Sequence, residues 1–155
     1  MIDIRGREIR VSHFKQECQF LEFAIDDVIT IKTSPEEIGL PSDSEALRVD
    51  CAKLPQVLRP TDIVYFDDGR LHAEVIDIDE DSVKVRFKCP GKLAPQSQIR
   101  LQGSKYEMIP ILNVGDIIDL KAIYEKFPFE YVSLPVVQES KDLHEFRLSI
   151  GSTIA

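Results

Sequence analysis

Three short stretches of this chain carry residues whose types could do chemistry: Asp3, Arg10 and the run Asp67-Asp68-Gly69. A carboxylate can hold a cation, and a guanidinium can grip a phosphate or a carboxylate with its planar fork of donors. Each also has a plainer explanation. Asp67-Asp68-Gly69 stands between two β-rich runs, Ile63 to Phe66 and Leu71 to Ile78. An Asp-Gly pair in that setting is the strongest short-range hairpin signal, since glycine tolerates the positive φ such turns demand. On residue types alone, the two aspartates solvate a hairpin tip. By the same standard Asp3 is a strand-end turn residue and Arg10 a surface strand arginine. His13, His72 and His144 lie on mixed faces without partnering motifs and read as bystanders. Cys18, Cys51 and Cys89 are odd in number and widely spaced, with no CxxC pair and no Cys/His cluster to suggest zinc, so they read as reduced, mostly structural thiols. No phosphate-binding glycine loop, dinucleotide fingerprint or nucleophile elbow is present.

The elements that must position these residues follow from periodicity. Residues 1–14 alternate apolar and polar, predicting a strand, a kink at Gly6 and a second strand. Two short strands are expected in QFLEF and DVITIK, then a loop over 33–44 and a strand over 45–50. A turn-like connector with Pro55 and Pro60 leads into the buried strand Ile63 to Phe66 and its hairpin partner. Beyond Asp79-Glu80-Asp81, Val83, Val85 and Phe87 alternate with Lys84, Arg86 and Lys88, one face buried and the other wet. Pro90 to Gln98 reads as irregular loop, and Ile99 to Gly103 as the last of these strands. Short strands recurring at spacings of about 8 to 12 residues predict a small antiparallel β-barrel or sandwich over 11–103. After Pro110 the period lengthens. Asp116 is a candidate N-cap for a helix with Ile117, Leu120 and Tyr124 on one face. Glu130 to Leu134 reads as a buried strand, and Ser140 as the cap of a helix through Ile150, with Leu143, Phe146 and Ile150 apolar at helical spacing. This helix–strand–helix run is α/β material, so the fold class is mainly β with flanking α/β segments.

Composition narrows the function classes. The 155 residues are 43% hydrophobic and 30% charged, which describes a globular chain of one domain or one domain with pieces of another. No window approaches 18 apolar residues, so no membrane span is expected, and the charged N-terminus argues against a secretion signal. The net charge of −8, without a basic face, argues against nucleic-acid binding.

The wording of Val49 to Leu71, V-D-C-x-x-L-P-x-V-L-x-P-x-D-x-x-Y-x-D-D-G-x-L, resembles a stretch of the lid (B) domain of pyruvate kinase that ends at that family's Asp-Asp-Gly turn. Asp3-Ile4-Arg5-Gly6-Arg7-Glu8-Ile9-Arg10 is similar to that family's Asp-Thr-Lys-Gly-Pro-Glu-Ile-Arg, where the chain leaves the main (β/α)8 barrel; threonine, lysine and proline are replaced here by Ile4, Arg5 and Arg7. Ile99-Arg100-Leu101-Gln102-Gly103 resembles its Val-Asn-Leu-Pro-Gly, and Asp116, Asp119, Leu120, Ser133, Asp142 and Arg147 fit its return segment, whereas Leu134-Pro135 stands where Phe-Ile is usual and should perturb the strand end. The resemblance implies 1–10 as barrel strand and hinge, 11–103 as the lid, and 104–155 as the return into an incomplete (β/α)8 barrel. It implies phosphoryl transfer from phosphoenolpyruvate to ADP in the cytoplasm, with magnesium and potassium. Asp3 and the backbone carbonyl of Ile4 would be monovalent-cation ligands, Arg10 the active-site arginine, and Asp68, with Asp67 beside it, the lid carboxylate at the nucleotide–metal end. Asp3 and Asp68 are 65 positions apart, in agreement with the family's spacing. The catalytic lysine and the magnesium carboxylates of the family are expected to lie outside this chain, leaving it inactive by itself and without tightly bound cofactors. Unpaired barrel segments imply self-association or docking on the rest of such a barrel. The alternative is a non-catalytic relative that keeps the lid as a binding or regulatory module.

Overall fold

The period-two alternation in the middle of the chain becomes a curled sheet. The computed structural model describes all residues except 16, 17, 103–108, 113 and 155. Its strands in chain order are β1 (Ile2–Asp3), β2 (Ile9–Arg10), β3 (Leu21–Phe23), β4 (Val28–Lys32), β5 (Ala46–Arg48), β6 (Ile63–Phe66), β7 (Leu71–Ile78), β8 (Ser82–Phe87), β9 (Gly91–Leu93), β10 (Gln98–Leu101) and β11 (Val132–Ser133). The helices are α1 (Leu54–Val57), α2 (Val114–Lys126) and α3 (Ser140–Ile154). They divide into two units, residues 1–8 with 109–155 and residues 9–108.

In the larger unit seven strands run in the order β2-β10-β6-β7-β8-β4-β5, with β3 and β9 as a separate antiparallel pair. The two outer strands are brought together just past their ends, where Val11 bridges Val49 and the Ser12 amide donates to the Arg48 carbonyl. The inward row of the sheet is apolar: Val83, Val85 and Phe87 of β8 are fully buried beside Val64, Phe66, Ala73 and Ile99. Each large side chain so buried contributes about 1.5–3 kcal/mol. The Phe87 ring stacks on Phe23 with centroids 4.1 Å apart and lies 5.7 Å from Phe66. An irregularity between Val75 and Asp77 in the β7–β8 ladder sharpens the local twist.

Three local expectations are corrected here. The sheet is not wholly antiparallel, because β5 returns parallel to β4 after the 33–44 loop. The proline connector contains a helical turn, α1, with Pro55 in its first positions, where the missing N–H is no loss. Residues 91–93 are strand rather than loop, because β3 offers them a partner.

The smaller unit pairs β1 with β11 in parallel, Ile2 opposite Val132 and Asp3 opposite Ser133. Ile111, Leu112 and Leu120 form its core, with Ile2, Ile4, Ile117, Phe129, Val132, Leu134, Phe146 and Ile150 packed around them. Pro135 follows closely on β11, which is two half-buried residues long instead of the five-residue buried strand expected. Gly6 has φ +56°, and a Cβ there would sit 3.1 Å from the Pro135 ring, so both backbone and space require glycine. Asp116 lies inside α2 rather than capping it, since the helix begins at Val114. In α3, Ser140 is the first helical residue and Leu143 is exposed; the buried stripe is Asp142, Phe146 and Ile150, four residues apart.

Candidate functional site

Register places Phe66 opposite Leu71, so β6 and β7 are joined by the four residues 67–70. Asp67 (φ +48°), Asp68 (φ +55°) and Gly69 (φ +88°) are all left-handed, and Arg70 (φ −62°) restores the ordinary hand. Glycine accepts this freely, whereas two consecutive aspartates do so at some conformational cost, the sort of local strain that collects at working sites. The Arg70 amide donates to the Asp67 carbonyl, and the Asp67 carboxylate lies 3.5 Å from the Arg70 guanidinium. The Asp68 carboxylate points elsewhere, to Arg100 Nη2 at 2.9 Å.

Arg100 stands on β10 opposite Tyr65, and Gln98, two residues earlier on the same outward face, stands opposite Arg10. The Arg10 amide donates to Asp50 Oδ1 at 3.2 Å and its Nη1 to the Gln96 carbonyl at 3.0 Å. Arg10, Asp67 and Asp68 therefore belong to one sheet and its turn, in the larger unit. Asp3 and Ile4 belong to the smaller unit. Asp3 ends β1 with its side chain exposed, while Ile4 turns its side chain into the core and donates its N–H to the Ser133 carbonyl. The Gly103 end of the 99–103 motif lies outside the described residues.

A family model described as the pyruvate kinase barrel domain matches residues 1–154. The chain belongs to the pyruvate kinase family. It is 29% identical to the pyruvate kinase of Candida albicans over 123 residues, 78% of this chain and 24% of that protein. With the pyruvate kinase of Buchnera aphidicola it shares 31% over 101 residues, 65% of this chain and 20% of that one. A crystal structure of Cryptosporidium parvum pyruvate kinase superposes with a TM-score of 0.80 over 97% of this chain and 30% of that chain; at 22% identity this likeness concerns the fold alone. A further structure of that protein, in complex with ADP, gives 0.74. This chain spans less than a third of the length of these pyruvate kinases.

One departure from the pyruvate kinase pattern has a structural reason that the sequence did not disclose. Arg7, in place of the family's proline, is buried, and its Nη1 and Nη2 donate to the two carboxylate oxygens of Asp142 at 2.7 Å each. Its Nε donates to the Ile109 carbonyl at 2.6 Å. Asp142 Oδ2 also accepts from the backbone amides of Gln138 and Glu139. The Arg7 guanidinium, then these amides, hold the Asp142 carboxyl well below the usual carboxylate range despite its burial. A lone acid on the apolar stripe of α3 was the available signal.

Among the histidines and cysteines, Cys89 Sγ lies 3.3 Å from His72 Nδ1, and the His72 ring lies 6.3 Å from that of Tyr65. Burial pushes the Cys51 thiol up to about 11, which makes it inert. Among the described residues no three His, Cys, Asp or Glu side chains converge, and Asp68 offers a single carboxylate already neutralised by Arg100.

Proposed function

We propose that residues 11–103, within the larger unit, form the lid of a pyruvate-kinase-type phosphotransferase that closes over the nucleotide while phosphate passes from phosphoenolpyruvate to ADP. The observation that carries this reading is the left-handed Asp67-Asp68-Gly69 turn, built at the end of the segment where the wording of the family is most specific. Phosphoryl transfer is largely positioning and neutralisation of charge. In this reading Asp68 meets the metal–nucleotide end, Asp67 braces the turn through Arg70, and Arg10 faces the phosphates. Asp3 and the Ile4 carbonyl serve a monovalent cation. Divalent metal arrives on the nucleotide as part of the substrate, and the catalytic lysine and remaining carboxylates come from outside residues 1–155. The setting is cytoplasmic, without nucleic acid or membrane; among the described residues no helix is long and apolar enough to cross a bilayer.

The test is a magnesium–ADP titration followed by amide NMR shifts on the chain and on Asp68→Asn. Asparagine tolerates the left-handed backbone at that position, so the turn survives the change. Shifts at Asp67–Gly69 and Arg10 that vanish in the variant are expected. An unresponsive turn at millimolar ligand would sink the reading.

The buried Arg7–Asp142 pair, a departure from the family at the hinge, favours a second reading, a binding or regulatory module without catalysis. Joining the segment to the remainder of a pyruvate kinase barrel separates the two: pyruvate formation supports the enzyme, and nucleotide binding without turnover supports the module. Ile118, Phe127, Tyr131 and Leu148 of the smaller unit are exposed and apolar. We therefore expect self-association that grows with concentration. A clean monomer at high concentration in light scattering would refute this.

A further inference from the structure

We propose that Arg100 is a phosphate-binding residue of this site, taking the phosphates of a nucleoside diphosphate beside Asp68 and Arg10. The proposal rests on the nucleotide reading above and adds a residue to it. On a chain of net charge −8, this outward face of β10 and β2 carries two guanidiniums, Arg10 and Arg100, on either side of Gln98. Register fixes them there: Arg10 is opposite Gln98, and Arg100 follows Gln98 by two residues, so all three point to the same side of the sheet. Where the resembling motif carries a neutral asparagine, this chain carries a cation.

Arg100 is also positioned as a working group and not merely present. Its Nη2 is shared between Asp68 Oδ1 at 2.9 Å and Gln98 Oε1 at 3.4 Å, which aims the guanidinium at the left-handed turn. Both partners of the ion pair are open to solvent, Asp68 at 74% and Arg100 at 56%. An ion pair so exposed is weak and adds little to stability. It is therefore cheap to exchange. A diphosphate presents the guanidinium with oxygens of higher charge and a geometry that suits its paired donors. When phosphate takes Arg100, the Asp68 carboxylate is released toward the metal end of the same ligand. The pair thus keeps the free turn neutral and divides on binding, cation to phosphate and carboxylate to metal.

The experiment uses the full chain and three variants, Arg100→Asn, Arg100→Lys and Asp68→Asn, each titrated with magnesium–ADP and separately with adenosine at one ionic strength. Amide shifts at Gly69 and across β10 are the readout. Arg100→Asn should weaken ADP binding roughly three- to tenfold, the range for a partly exposed charge-assisted contact, and leave adenosine unaffected. Arg100→Lys should recover part of the loss, since it restores the charge without the fork. A loss for ADP and adenosine alike would mean that Arg100 only shapes the turn, and would overturn the proposal. It also falls if Arg100→Asn binds ADP as the parent does while Asp68→Asn does not, an outcome that leaves the lid reading standing. If the parent chain itself does not respond to ADP, the lid reading fails and the proposal fails with it.

Discussion

Asp142→Asn is expected to destabilise the smaller unit by about 3–5 kcal/mol, the range for removing one partner of a buried ion pair. The side chains of Arg7 and Asp142 are only 2% and 1% exposed, so water cannot replace the lost partner. The guanidinium would keep its bond to the Ile109 carbonyl but lose its countercharge, and the Gln138 and Glu139 amides would lose a charged acceptor. The amides of residues 1–8 and 109–155 should therefore exchange with solvent far faster, whereas those of β7 and β8 should not change. A double change, Arg7→Met with Asp142→Leu, should recover most of the loss, because the cost lies in stranding a charge and not in lacking the pair. A loss under about 1 kcal/mol in the single variant would mean that the unit opens enough to hydrate Arg7.

The same pair gives the unit an acid dependence with a definite sign. The folded-state pKa of Asp142 is depressed, by the Arg7 guanidinium before any other cause. Its contribution is fully present above the unfolded carboxylate value of about 4 and is lost as pH falls below that through the folded value. Stability of the parent unit should fall over that acid range, and Asp142→Asn should be flatter there.

Phe87→Ala should cost the larger unit roughly 3–5 kcal/mol, as expected for truncating a buried aromatic residue. Phe87 has no exposed surface and joins two layers, stacked on Phe23 of the β3–β9 pair and tilted against Phe66 of the main sheet. Phe87→Leu should lose less than half as much, since it preserves most of the volume. Urea unfolding followed by circular dichroism would measure both. Near-equal losses would imply that ring stacking, and not cavity formation, dominates.

Much of the larger unit was legible in the sequence because a strand declares itself by a period of two. Val83, Val85 and Phe87 against Lys84, Arg86 and Lys88 fixed which face of β8 is inside, and Asp67-Asp68-Gly69 located the reversal between β6 and β7. What the aspartates do within that reversal was not legible. An Asp-Gly pair calls for positive φ, but that Asp67 and Asp68 both share it follows from a four-residue connection that the register of two strands imposes. Gly91-Lys92-Leu93 has too few residues to show a period and is a strand only because Leu21-Glu22-Phe23 lies beside it. Leu143 looked as apolar as Phe146, but only packing decides which of two adjacent helical faces is buried.

The candidate residues divide the same way. The resemblance to pyruvate kinase named Asp3, Ile4, Arg10, Asp67 and Asp68, because motif wording is a local property of the chain. Their partners are not local. Asp68 meets Arg100 across 32 positions of sequence, and Arg7 meets Asp142 across 135. By itself the sequence determined where strands alternate, where the chain reverses and which side chains carry charge, since each depends on near neighbours along the backbone. Only the tertiary structure decided which charges are buried and which carboxylate each guanidinium holds, because burial and pairing are set by residues that the fold brings together from far along the chain.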